Sequence, residues 1–167
     1  MKIMLTALVF VVLTAGSAAA QKSFYNKEFK VGFKYPATMK SREAESVADD
    51  GFKNLGEVSL LKTRRGVYNA AATLSAGTMT QQACTKFAND PDQKRRRVKF
   101  GTVAYEKIEW TDGGMESETP MEIYRIHHGG VCYQFTLGAT ERRHPLADGT
   151  SARAQLHAVL RTLYFSK

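Results

Sequence analysis

Apolar and polar residues alternate along several short stretches of this chain, and a period of two is typical of half-buried β-strands. Between Glu28 and Tyr35, positions 29, 31, 33 and 35 are apolar or aromatic, and the positions between them are lysine or glycine. Pro36 is predicted to end this strand, because proline cannot donate a hydrogen bond to a sheet ladder. The same period predicts two further strands over 57–62 and 67–75, joined by a turn.

The second half of the chain predicts an interior strand followed by a hairpin. Residues 102–110 carry apolar side chains on both faces, which is typical of a strand inside a sheet. Residues 121–126 and 131–137 form the predicted hairpin, and Gly129-Gly130 between them can adopt the positive φ that a tight turn needs. A short final strand is predicted over 163–165.

Two helices are predicted from capping residues and helical spacing. Thr80 can cap a helix in which Ala83 and Phe87 share a face, with a stop at 89–92. The last helix, capped by residue 150 or 151, has an apolar stripe at Ala152, Leu156, Val159, Leu160 and Leu163. Residues 41–54 are polar without a period, which predicts a surface loop with room for a short helix around 42–47. The whole pattern predicts a single α+β domain, with a curved antiparallel sheet covered by helices.

The first twenty residues have the pattern of a secretory signal peptide. Lys2 is followed by an apolar stretch over 3–13 and by the small residues Ser17, Ala18, Ala19 and Ala20, which suit a signal peptidase. The alternative is a membrane anchor, but the apolar run is shorter than the roughly 20 residues that span a bilayer. We therefore predict cleavage after Ala20, a mature domain over 21–167 without a transmembrane segment, and a periplasmic or secreted location.

The two cysteines of the chain, Cys84 and Cys132, both fall in the predicted mature domain. An even number of cysteines in an oxidising compartment predicts a disulfide between them. Two buried free thiols are the alternative. Because the spacing is not Cys-x-x-Cys, we do not expect a catalytic redox pair.

The chain is basic, with a formal net charge of +8, or +7 once residues 1–20 are removed. Such a charge attracts anionic partners, although it also simply keeps a protein in solution. The strongest cationic run is Lys94, Arg95, Arg96 and Arg97, which could bind phosphate, sulfated glycan or an envelope polymer. The structural alternative is a solvated loop that leads into a strand. Nucleic acid is not an expected partner, since no nucleic-acid-binding motif is present.

Candidate chemistry is sparse in this sequence. His127 and His128 are adjacent, so on a strand they would point to opposite faces, and we expect no metal site and no cofactor. No nucleophile elbow, phosphate-binding loop, dinucleotide fingerprint or zinc-protease motif occurs. Glu116, Glu118 and Glu122 could supply an acid/base pair, but a solvated hairpin explains them more simply. Catalysis would require residues that only the fold brings together.

The order of these elements resembles the PsbP-like group of proteins. The resemblance lies in Phe29-x-Val-x-Phe-x-Tyr-Pro36, a mid-chain helix, a hairpin ending in Cys132-Tyr-Gln-Phe-Thr-Leu137, a closing helix and Leu163-Tyr-Phe165. It implies an α/β/α sandwich around a curved antiparallel sheet and a non-catalytic binding or accessory role. No catalytic residue can be carried over from it, because the group has no shared catalytic motif.

We therefore predict an exported, non-catalytic accessory protein that binds a protein partner. One alternative is a binder of anionic envelope polymers or lipid headgroups through the basic run 94–97. A second alternative is a small hydrolase or an inhibitor of one.

Overall fold

The computed structural model describes residues 20–44, 51–61, 67–87, 93–113, 117–142 and 149–166. The predicted signal peptide lies outside these residues except for Ala20, so it stays a prediction. Within the described ranges the strands are β1 (Gln21–Asn26), β2 (Val31–Pro36), β3 (Met39–Glu43), β4 (Lys53–Leu60), β5 (Val67–Thr78), β6 (Lys94–Phe100), β7 (Val103–Gly113), β8 (Ser117–His128), β9 (Val131–Arg142) and β10 (Tyr164–Phe165). The helices are α1 (Gln81–Thr85) and α2 (Gly149–Leu160).

The strands form two sheets in which all neighbours pair antiparallel. The larger sheet has seven strands in the order β3-β4-β5-β9-β8-β7-β6, and the smaller has the order β1-β2-β10. The predicted strand at 102–110 is interior, as expected, because β7 pairs with both β6 and β8. The predicted hairpin is β8 and β9, and Gly129 and Gly130 at its tip have φ values of 60° and 82°.

The main core lies between one face of the larger sheet, the smaller sheet and α2. Alternate residues of β9, among them Tyr133, Phe135 and Leu137, are buried on this face. Phe33 of β2 meets Phe135 edge-on, with 5.6 Å between ring centroids. Leu156 of α2 is fully buried in the same core. Each such side chain contributes about 1.5–3 kcal/mol through burial, which explains why the apolar periods specify these elements.

The opposite face of the larger sheet carries α1. Cys132 of β9 points to this face and is joined to Cys84 of α1 by the predicted disulfide, with 5.4 Å between the Cα atoms. Thr80 caps α1 as predicted, since its side chain accepts a hydrogen bond from the backbone N–H of Ala83 at 3.2 Å. The chain is thus antiparallel β with two helices, but α1 has only five residues. The described residues therefore do not show a full second helical layer.

Two polar stretches differ from their predictions. The predicted surface loop at 41–54 overlaps two strands, β3 and the start of β4. The short helix predicted around 42–47 is wrong at Arg42 and Glu43, which lie in β3, and its residues 45–47 lie outside the described residues. The sequence hides β3 because it is an edge strand in which only Met39 is buried. Likewise, the run 94–97 is not a loop entering a strand but the first half of β6.

The final strand is present as predicted, and it closes the smaller sheet. Tyr164 of β10 pairs with Gly32 of β2, and β1 pairs with the other edge of β2. Gly32 has no room for a side chain, because a Cβ there would lie 2.5 Å from the hydroxyl oxygen of Tyr164. No helix in the described part of the chain is long and apolar enough to cross a membrane.

Candidate binding site beside helix α1

The basic run predicted as a ligand site lies on β6, the edge strand of the larger sheet. Strand alternation divides its cations between the two faces. Lys94 and Arg96 share the α2 side with Val98 and Phe100, which pack against the core. Arg95 and Arg97 point to the α1 side, as does Lys99. Cations on an edge also prevent other strands from pairing with it, so the run has a structural use besides any binding role.

The arginines of β6 form surface ion pairs with the neighbouring strand β7. Arg96 lies 3.1 Å from a carboxylate oxygen of Glu109. Arg95 and Arg97 share the carboxylate of Glu106, with nitrogen–oxygen distances of 3.8 and 4.0 Å. Exposed pairs of this kind contribute little, in the range of about 0–1 kcal/mol. Because two arginines share one carboxylate, this edge stays positive on the α1 side.

A second cation, Arg125 of β8, is held beside Arg95 by aromatic rings. Its guanidinium carbon lies 4.4 Å from the ring centroid of Phe87 and 5.0 Å from that of Phe52. The guanidinium carbon of Arg95 lies 5.5 Å from the Phe87 centroid. Phe87 therefore contacts two guanidinium groups, an arrangement that favours positive charge at the ring. We call Phe52, Lys86, Phe87, Arg95 and Arg125 the basic–aromatic site.

The end of α1 orients both arginines. The last carbonyls of a helix have no partner within the helix and need donors from outside it. Arg95 donates to the carbonyl oxygen of Thr85 at 2.7 Å, and Arg125 donates to that of Lys86 at 3.3 Å. Arg125 also donates through Nε to the Gln134 side chain at 2.7 Å. The site therefore depends on α1, which the disulfide holds against the sheet.

A cavity of about 550 Å³ opens at the basic–aromatic site. Its walls combine apolar and aromatic groups with two cations. The lining residues are Gly51, Phe52, Thr78, Met79, Ala83, Lys86, Phe87 and Arg125. Phe52 and Met79 pack around the buried disulfide, so this wall of the cavity is rigid where it meets the sheet.

A second charged group lies on the opposite face, between the sheet and α2. It comprises Lys107, Glu109, Glu122, Tyr124 and His157, which we call the ionic cluster. Lys107 is only 3% exposed, and its Nζ lies 2.6 Å from an oxygen of Glu122 and also contacts Glu109. The other oxygen of Glu122 accepts a hydrogen bond from the Tyr124 hydroxyl at 3.0 Å and contacts Nε2 of His157.

The ionic cluster perturbs the titration of its own members. Burial alone would raise the pKa of Glu122, but hydrogen bonds from His157 and Lys107 outweigh it and lower that pKa to about 2. Burial, reinforced by the charge of Glu122, raises the pKa of Tyr124. The hydrogen bond from Lys107 lowers the pKa of Glu109. Glu122 is thus a satisfied anion, and none of the five members is a Ser, Thr or Cys nucleophile.

The remaining candidates from the sequence do not assemble into a site. Nε2 of His127 contacts the carbonyl oxygen of Met79 at 2.9 Å, whereas His128 on the other face stacks on Phe165, with centroids 4.4 Å apart. Glu118 is half-buried on β8. Glu116 and His144 lie outside the described residues. Among the residues that are described, no group of three His, Cys, Asp or Glu side chains could hold a metal ion.

Sequence reasoning missed Phe52, Arg125 and Lys107. The available signal was a cation on a strand face that also carries apolar residues, since alternation places Lys107 on the face of Val103 and Tyr105, and Arg125 on the face of Ile123. Buried charges in strands require partners on a neighbouring element, and their presence therefore marks a polar contact. Phe52 gave no signal, because it lies in the stretch interpreted as a loop.

Comparison with solved structures confirms the predicted PsbP-like fold. The cyanobacterial PsbP protein (CyanoP) of Synechocystis is similar with a TM-score of 0.51 at 10% identity, over 91% of this chain and 96% of that one. LpqN, involved in cell envelope biogenesis of Mycobacterium tuberculosis, is similar with a TM-score of 0.50 at 11% identity, over 92% and 88%. A Bacteroides thetaiotaomicron protein is similar with a TM-score of 0.53 at 12% identity, over 87% of this chain.

This chain spans 48% of the Bacteroides protein, about half its length. At identities of 10–12% the likeness concerns the fold alone. No protein-family model matches the sequence, and the search of curated proteins finds no match.

Proposed function

We propose that this chain is an exported, non-catalytic accessory protein that binds an acidic protein partner through the basic–aromatic site and the adjoining cations Arg97 and Lys99. The observation that carries the proposal is the fixed pair of guanidinium groups on Phe87. Arg95 and Arg125 are oriented by the carbonyls of α1 rather than left on flexible side chains. Arginines and aromatic residues of this kind are frequent among the residues that dominate protein interfaces.

Pre-organisation supports this proposal over a general surface attraction. A flexible side chain loses about 0.5–1.5 kcal/mol of conformational entropy when a partner immobilises it. Arg125, which is 8% exposed and held by rings and hydrogen bonds, has already lost that freedom in the unbound protein. Binding through Arg125 therefore costs less conformational entropy than binding through the exposed lysines elsewhere on the surface.

The disulfide supports the proposed export. Stable disulfides form in oxidising compartments such as the periplasm or the extracellular space. Cys84 and Cys132 are both fully buried, as expected of a structural disulfide rather than a reactive one. LpqN, one of the proteins of similar fold, is involved in cell envelope biogenesis. A comparable compartment for this chain is part of the proposal.

The spacing of the β6 cations favours a second candidate, an anionic envelope polymer or lipid surface. Arg95, Arg97 and Lys99 follow one another on one face of an extended strand, at intervals of about 6.6 Å. Regularly spaced anions along a polymer could meet such a row. This reading uses β6 alone and does not require the fixed position of Arg125.

The non-catalytic part of the proposal rests on the chemistry of the ionic cluster. Glu122 and His157 resemble an acid/base pair, but the carboxylate already accepts hydrogen bonds from several groups within the fold. A general base must instead be free to take a proton from a substrate. A small hydrolase would require Glu122 to be released from these contacts. An enzyme inhibitor would require only a partner-binding surface, and it is therefore a special case of the proposed binding function.

A capture experiment at two salt concentrations tests the proposal. Tagged exported protein is mixed with envelope extract, and an Arg95→Ala/Arg97→Ala variant is compared with a Lys22→Ala/Lys34→Ala variant that removes the same charge from the far, smaller sheet. We expect a partner that is retained in high salt and is lost only with the β6 variant. A ligand that is lost in high salt and is not protein would favour the polymer instead. Equal capture by both variants would overturn the proposal.

A further inference from the structure

We infer that the cavity beside α1 binds a carboxylate that carries an apolar group. In this arrangement Arg125 and Lys86 face the carboxylate, while Phe52, Met79 and Phe87 contact the apolar group. The inference rests on the proposed function, because it uses the same basic–aromatic site, and it names the chemistry of the group that enters that site.

The size of the cavity fits a single small group. Pockets that bind small molecules measure roughly 300–1,000 Å³. The cavity beside α1 measures about 550 Å³, so it can hold a drug-sized acid or one terminal side chain with its carboxylate. It cannot enclose a folded segment of a partner, which would have to remain on the surrounding surface.

The lining combines the two features that such a ligand needs. Most small-molecule sites are apolar with a few polar groups that fix the orientation of the ligand. Here the apolar surface comes from the two phenylalanine rings and Met79, whose flexible thioether adapts to different shapes. The charged groups are a guanidinium, whose planar fork matches the geometry of a carboxylate, and an ammonium at the exposed rim.

The guanidinium of Arg125 has a fixed position at the wall of the cavity. It is held against the rings of Phe52 and Phe87 and is oriented by Gln134 and the carbonyl of Lys86. A group that is already held in place loses less conformational entropy when a ligand binds to it. An anion that reaches this cavity therefore meets a pre-oriented cation.

Two sources can supply this chemistry. A free aromatic or aliphatic acid presents a carboxylate next to an apolar body. The C-terminal residue of a partner protein presents the same two groups when that residue is apolar. The chemistry of the cavity does not distinguish these sources, so the experiment must include both.

The test is a titration of the purified, oxidised protein followed by NMR. One arm uses 3-phenylpropionate, and the other uses a short peptide that ends in Leu-Phe with a free carboxylate. The matched probes are 3-phenylpropionamide and the same peptide with an amidated C-terminus. We expect saturable shifts of the Met79 methyl and Ala83 signals, and affinities about tenfold weaker or worse for the amides, because the charge-assisted hydrogen bonds are lost.

Substitutions locate the binding and control for folding. Lys86→Gln removes one charge but keeps the backbone carbonyl that Arg125 uses, and it should weaken carboxylate binding about fivefold. Lys34→Gln makes the same change on the smaller sheet and should leave the affinity unaltered. Ala83→Trp should fill the cavity and abolish binding without removing any cation.

The outcomes separate this inference from the proposed function. Binding of the free acid alone would assign a small metabolite, and binding of the peptide alone would assign a partner's C-terminus. Either result supports the inference. Absence of saturable shifts, equal binding of the amides, or equal loss in Lys86→Gln and Lys34→Gln would overturn it. Partner capture that depends on Arg95 and Arg97 would still stand after such a failure, because those residues do not line the cavity.

Discussion

The two faces of strand β8 carry charge in different ways. Tyr124, on one face, belongs to the ionic cluster, in which carboxylates and cations neutralise one another between the sheet and α2. Arg125, the next residue, points to the other face, where it contacts the rings of Phe52 and Phe87, the Gln134 side chain and the carbonyl oxygen of Lys86. One strand thus places a network of ion pairs on its α2 face and a cation packed on aromatic rings on its α1 face.

The largest expected effect comes from removing the covalent link on the α1 face. The disulfide closes a loop of 48 residues, and its loss in a Cys84→Ala/Cys132→Ala variant should lower the free energy of unfolding by about 4 kcal/mol. Urea denaturation measures this loss. The basic–aromatic site should loosen most, because α1 would no longer be fixed to β9, while the ionic cluster should persist. Equal loss of protection at both sites in hydrogen exchange would contradict the comparison.

The next effect comes from breaking the ionic cluster itself. Glu122→Gln removes the shared carboxylate and leaves the buried Lys107 with only Glu109 as a charged partner among the members of the cluster. We expect a loss of about 3 kcal/mol in unfolding free energy, the lower end of the cost of an uncompensated buried charge. Glu57→Gln, which removes a carboxylate paired with the exposed Arg42, should cost less than about 1 kcal/mol. Equal losses of unfolding free energy in Glu122→Gln and Glu57→Gln would show that the ionic cluster does not stabilise the fold.

The ionic cluster should also make the free energy of unfolding depend on pH. The pKa of Glu122 is about 2 in the folded protein against an ordinary value of 4.5. Its contribution is therefore fully present above about pH 4.5 and is lost as the pH falls toward 2. The lowered pKa of Glu109 acts in the same direction. Thermal unfolding from pH 6 to pH 2 should show this decline in stability, and the decline should be shallower in Glu122→Gln. If stability fell equally with pH in both proteins, Glu122 would not be the cause of the decline.

The smallest expected effect concerns the ring that organises the basic–aromatic site. Phe87→Leu keeps an apolar side chain but removes the surface that both guanidinium groups contact, at a cost of about 1 kcal/mol in stability. The Nε–H signals of Arg95 and Arg125 should shift in NMR spectra as the ring-current effect disappears. Arg161, whose guanidinium lies 5.5 Å from the Phe100 ring, serves as an internal reference and should not change.

Alternation in the sequence predicts those strands that have one buried face. β9 could be predicted because buried residues recur at every second position from Tyr133 to Ala139, and β2 because its aromatic residues alternate up to Pro36. The hairpin of β8 and β9 could be predicted because Gly129 and Gly130 separate its two strands. β3 and the first half of β6 could not be predicted, because they lie at the two edges of the larger sheet. One side of an edge strand faces water, so most of its residues can be polar and the apolar alternation is lost. The disulfide could be predicted from the number of cysteines and the presumed compartment alone.

The candidate site was predictable only in part. The run 94–97 identified the positive edge, but its neighbours in space are separated from it in sequence. Arg125 lies 39 residues from the carbonyl of Lys86 that helps to orient it. Contacts of this kind depend on strand order, and one sequence does not reveal that β8 and β6 lie on either side of β7.

The smaller sheet has a consequence for how this protein reaches its native state. Strand β2 is flanked by β1 on one edge and by β10 on the other, and Tyr25 is hydrogen-bonded to Ser166, 141 positions later. This sheet cannot be completed until β10 has left the ribosome, and contacts of such long range form slowly. A chain in which β10 has not yet been synthesised therefore stays open at this sheet, a state that suits the proposed export, in which the chain crosses a membrane before it folds.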